Sequence, residues 1–63
     1  MHITDKLSDQ INRLYPLQDK RQGIRYRVVD ELGGTTELEA IGGQPRYVPT
    51  HTLQDQNLWH LQA

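Results

Sequence analysis

Residues 24–41 read IRYRVVDELGGTTELEAI, two runs in which apolar and polar side chains alternate on either side of the pair Gly33-Gly34. Alternation with period two marks strands with one buried face, and adjacent glycines accept the positive φ angles of a tight hairpin turn. The rest of the chain must therefore extend an antiparallel hairpin or cover it. Register follows from side-chain chemistry, because a slip of one residue turns every side chain to the opposite face. With Gly33-Gly34 as a two-residue turn, Arg27 falls opposite Ala40 and Val28 opposite Glu39, mixing charge and apolar groups on both faces. A three-residue loop, Leu32-Gly33-Gly34 with Gly34 left-handed, sets Tyr26 against Ala40, Arg27 against Glu39 and Val28 against Leu38. That register directs Ile24, Tyr26, Val28, Leu38 and Ala40 to one apolar face. Arg25, Arg27, Val29, Glu37, Glu39 and Ile41 go to the reverse.

Upstream, Ile3, Leu7, Ile11 and Leu14 recur at spacings of four, four and three, one stripe of a helix expected over about residues 4–15. Thr4 is placed to cap it, Asp5 falls in its first turn, and Pro16 ends it by driving Tyr15 from helical angles. A helix of about three turns is marginal alone, so the expectation is that its stripe lies on the hairpin's apolar face. The segment LQDKRQG reads as a connecting loop. Gly42-Gly43 marks a second turn, Arg46-Tyr47-Val48 a short strand stopped by Pro49, and Asn57 to Leu61 a last strand or closing tail. The expected strands span about 24–31, 36–41, 46–49 and 57–61. The fold class is α+β: a single small domain over residues 1–63, with one N-terminal helix packed on a three- to four-stranded antiparallel meander. Such a meander can also curl into an SH3-like small barrel, a comparison of architecture only.

A chain of 63 residues buries only about 60% of its unfolded surface, which leaves little room for a deep catalytic cleft. It holds no cysteine, so disulfides and thiolate metal sites are ruled out and a reducing compartment is expected. No run approaches the roughly 18 apolar residues of a membrane span, and the start MHITDKLSDQ lacks the pattern of a signal peptide. The expected location is cytoplasmic. Seven basic and eight acidic residues leave a formal net charge of −1, which exerts no long-range pull on a phosphate backbone. Apolar residues make up only 35% of the chain, yet they are patterned as in a folded protein.

Four of the seven basic residues, Lys20, Arg21, Arg25 and Arg27, lie close together in sequence, with Arg46 a further candidate and Tyr26 and Tyr47 interleaved. That composition suits a nucleic-acid surface. The hairpin register opposes it, since Glu39 faces Arg27 and Glu37 lies diagonal to it, so cross-strand pairing neutralises part of the patch. His51, Asp55 and His60 fit no metal-ligand spacing, with Leu53, Leu58 and Trp59 between them reading as core. Ser8 is the only serine and has no base beside it. The carboxylates at Asp30, Glu31, Glu37 and Glu39 are expected in water rather than in a dry pocket with split pKa values. Neither glycine pair opens a helix as a phosphate loop does. The expectation is no catalytic residue, no metal and no cofactor.

Trp59 reads as a core plug. If Trp59 and Leu61 share one face, Leu58 and His60 point the other way, and Val29 and Ile41 add to the apolar surface left over. The expected function is a small non-enzymatic interaction module, an adaptor, inhibitor or regulator. It would bind a protein partner or a second copy of itself through the sheet face or an edge strand, with Arg25, Arg27, Val29, Ile41 and Leu58 in contact. The alternative is a nucleic-acid-binding regulator using Lys20, Arg21, Arg25, Arg27 and Arg46. No membrane or small-molecule substrate is implied.

Overall fold

The computed structural model describes the backbone of residues 3–61 and the side chains of residues 6–61. The fold is α+β, one helix and a five-stranded antiparallel sheet: α1 (Ile3–Leu14), β1 (Leu17–Asp19), β2 (Arg25–Leu32), β3 (Thr35–Ala40), β4 (Pro45–Pro49), a 3₁₀ turn (Thr50–Gln54) and β5 (Trp59–Leu61). The strand order is β4-β3-β2-β1-β5, so the chain runs as a meander until the last strand crosses to pair with β1. The expected cap Thr4 and the side chain of Ile3 lie outside the described side chains.

In the central hairpin Tyr26 pairs with Ala40, Arg27 with Glu39 and Val28 with Leu38, the register expected from side-chain chemistry. The turn that produces it differs. Gly33 and Gly34 form a two-residue turn with φ of 59° and 84°, the pair of positive angles that type I′ requires and whose twist matches the flanking strands. The odd residue is absorbed by a bulge at Val29, where the pairing shifts between Val28 and Asp30. Beyond the bulge, Asp30 stands opposite Glu37 and Glu31 opposite Thr36.

The sheet has five strands rather than three or four, because Leu17-Gln18-Asp19 is a strand and not a loop. It pairs with β2 through Leu17–Tyr26 and with β5 through Asp19–Trp59. Alternation hid it, since one of its two inward residues is a carboxylate. Leu17, Tyr26, Leu38, Val48 and Trp59 form the core, with Ala40, Leu53 and Leu58 packed against it. Tyr26 and Trp59 meet edge to face, ring centroids 6.0 Å apart. The sheet is rolled: the Arg46 guanidinium on edge strand β4 sits 5.1 Å from the Trp59 ring on the opposite edge strand, β5. Among the described residues no ladder joins β4 to β5, so the roll stays open and does not close into a barrel.

The expected packing of the helix on the sheet is not what the structure has. Leu7 is 52% and Leu14 63% exposed, Ile11 is exposed as well, and among the described side chains no helix residue belongs to the core. Two causes act together. Trp59, Arg46 and the residues around the 3₁₀ turn already occupy the inner face of the roll. The short link from α1 to β1, Tyr15 and Pro16, is held in one direction by its attachment to β2. Arg25 Nε donates to the Tyr15 carbonyl at 2.9 Å and ties the helix end to β2. The molecule is consequently elongated, 44 × 23 × 19 Å. Ile24 and Val28, expected beneath the helix, are exposed in its absence.

Candidate interaction surface

Each basic residue singled out in the sequence has a definite place. Arg46 points into the roll, where Nη1 donates to Asp19 Oδ2 at 2.8 Å, to Gln22 Oε1 at 3.1 Å and to the Tyr26 hydroxyl at 3.3 Å. Its guanidinium also lies over the Tyr26 and Trp59 rings, an arrangement in which ring quadrupoles add to the charge pairing. Asp19 is 1% exposed, and its Oδ1 accepts from the Arg21 and Gln22 amides at 2.8 and 3.0 Å. Gly23, at φ 74°, lets the loop turn back so that its amide reaches the Asp19 carbonyl. Burial pushes the Asp19 carboxyl up. The bond from Arg46 and those from the Gln22 and Arg21 amides outweigh burial and hold it below its ordinary value. The bond to Asp19 likewise raises the Arg46 guanidinium, against the cost of burial.

Arg27 pairs with Glu39 across the hairpin, Nη2 to Oε1 at 2.7 Å and Nε to Oε1 at 2.8 Å. The charge ladder expected from the register is therefore present at that rung, whereas Arg25 turns to the Tyr15 carbonyl. Lys20 Nζ donates to the Gln56 carbonyl at 3.0 Å. Among the described residues, Arg21 is the member of the basic cluster whose side chain has no hydrogen-bond or ion-pair partner. Arg46, expected on the same surface, is separated from it by its engagement with Asp19.

The apolar candidates divide in the same way. Val29 on the bulge and Ile41 just after β3 are exposed. Leu58, expected to point away from Trp59 into the open, is half-buried against the core. Leu32, 82% exposed at the hairpin tip, borders a shallow hollow of about 230 Å³ with Tyr47, Thr35, Asp30, Glu31 and Glu37. A wider open cleft of about 700 Å³ runs between the 3₁₀ turn and β5, past Lys20, Leu53 and Leu61. Sequence reasoning did not anticipate the apolar stripe of α1 as open surface. No local signal marks it, because a two-residue link is equally compatible with a helix that folds back on the sheet.

Among the described residues, no three His, Asp or Glu side chains are brought together in a way that could hold a metal ion. No helix of the described residues is long and apolar enough to cross a membrane. The arrangement offers apolar surface, one buried ion pair and exposed carboxylates at the hairpin tip. Comparison with family models, with curated proteins and with solved structures found no match to this chain.

Proposed function

We propose that this chain is a small non-enzymatic protein-interaction module that binds a protein partner or a second copy of itself. One observation carries the reading: among the described residues ten large hydrophobic side chains are exposed, against five buried in the core. Single exposed apolar residues are ordinary, but in a chain with so few apolar residues an excess of this size marks surface that works when covered. The engagement of Arg27 by Glu39 and of Arg46 by Asp19 supports the same reading, because it lowers the positive charge available to a phosphate backbone. Of the edge strands, β4 is bracketed by Pro45 and Pro49, which block strand addition. Exposed side chains, rather than that edge, are the contact.

The test has two arms on the intact chain. Fluorescence anisotropy with labelled duplex and single-stranded oligonucleotides at low salt should show no binding. Affinity capture and sedimentation should show association with protein, either a partner or another copy. Tight oligonucleotide binding with a steep negative salt slope, lost when Arg21, Arg25 and Arg27 are replaced by Glu, would replace this reading with nucleic-acid recognition.

A further inference from the structure

We infer that α1 is a self-association element: the stripe of Leu7, Ile11 and Leu14 pairs with the same stripe on a second copy of this chain. The inference rests on the interaction-module reading and names its surface and partner. The first argument is the helix itself. Helices of about 12 residues without tertiary support are marginal in water, and α1 has 12 residues with Leu7, Ile11 and Leu14 open to solvent. Something must cover that stripe for the helix to persist.

The second argument is area. The chain exposes 4898 Å², whereas a compact monomer of this mass exposes about 4,200 Å², a surplus of roughly 700 Å². A standard interface removes about 800 Å² from each partner. The surplus is close to the size of one such contact, and Leu7, Ile11 and Leu14 are part of the exposed apolar surface.

The third argument selects the occupant. Leu7, Ile11 and Leu14 are spaced by four and three, the d-a-d spacing of one heptad, so the stripe can meet an identical stripe along a single seam. The residues flanking the seam, Ser8 and Gln10, are uncharged, so like can face like without repulsion. The outer face carries Lys6, Asp9 and Arg13, a mixed set unlike the Lys/Arg-rich face of a helix that lies on an anionic membrane. A two-fold contact of identical stripes is also the commonest closed assembly.

Sedimentation equilibrium and light scattering on the full chain decide the matter. The expected result is a two-chain mass at tens of micromolar, with Ile11→Glu weakening association by at least about tenfold and Leu32→Glu, equally charged but at the hairpin tip, leaving it unchanged. Because the chain has no cysteine, proximity can be read without disturbing the seam: Gln10→Cys should cross-link between copies with a short bismaleimide, and Leu32→Cys should not. Two results overturn the inference. One is a single-chain mass up to about a millimolar; the other is a dimer indifferent to Ile11→Glu that does not cross-link at position 10. A single-chain protein that captures a different partner would sink self-association while leaving the interaction-module reading in place.

Discussion

Asp19 concentrates more of the fold's electrostatics than any other described side chain. A carboxylate this buried is tolerated because every strong donor near it is aimed at it: the Arg46 guanidinium and the Arg21 and Gln22 amides. Since its folded pKa is depressed, its contribution to stability is fully present above the ordinary carboxyl value of 3.8 and is lost as pH falls through the lower folded value. Asp19→Asn should cost about 2 kcal/mol near neutral pH, and the difference from the parent chain should shrink in acid; urea unfolding followed by Trp59 fluorescence from pH 7 to pH 2 checks both. Leu38, with 0% exposure, sits at the centre of the apolar half of the same core. Leu38→Ala should cost about 2–5 kcal/mol. A domain of this length rarely holds more than about 3–5 kcal/mol in total, so the variant should be largely unfolded by far-UV circular dichroism.

At the scale of elements, the hairpin shows how a bulge redistributes charge. Up to Val28 the rungs alternate as the chemistry asks, with Arg27 on Glu39; after Val29 the shift places Asp30 directly opposite Glu37, two carboxylates with no cation between them. Like charges on one rung oppose pairing. Glu37→Lys should therefore stabilise the hairpin by a few tenths to about 1 kcal/mol, seen as a higher urea midpoint with an unchanged m value, and the gain should fade in high salt. If the midpoint drops instead, the carboxylates are not neighbours in solution and the bulge lies elsewhere. The same shift leaves Leu32 at the tip, beside Tyr47 and the acidic pair, as the most exposed large apolar side chain among the described residues.

For the whole molecule, the separation of helix from core is the property with the widest consequences. Among the described side chains, the core cluster draws on all five strands and contains no residue of α1. Removing residues 3–14 should then leave cooperative unfolding of the sheet body, with the Tyr26–Trp59 near-UV signal intact and stability at micromolar concentration changed by no more than about 1 kcal/mol. Loss of the near-UV signal would show that the helix supports the core after all. Intact chain should behave differently as concentration rises: helix that is completed by association strengthens the 222 nm band and raises Tm together.

The alternating hairpin, its rungs from Tyr26 to Val28 and the helix before Pro16 were legible from residue order, because each depends on neighbours a few positions apart and on faces that must not mix. Glu39 opposite Arg27 could be read for the same reason. The bulge at Val29 was not legible, since a three-residue loop and a two-residue turn with an extra residue further along yield the same rungs beside Tyr26. Neither was β1, whose inward Asp19 looks like loop chemistry until Arg46 arrives from 27 positions away to neutralise it. Where the helix goes was settled by the roll of the sheet: once Trp59 and Arg46 close over Tyr26 from opposite edges, the centre of the face meant for the stripe is already covered. Local pattern determines which segments form and which side of each is apolar; long-range pairing alone decides which apolar sides find each other inside the chain and which stay exposed.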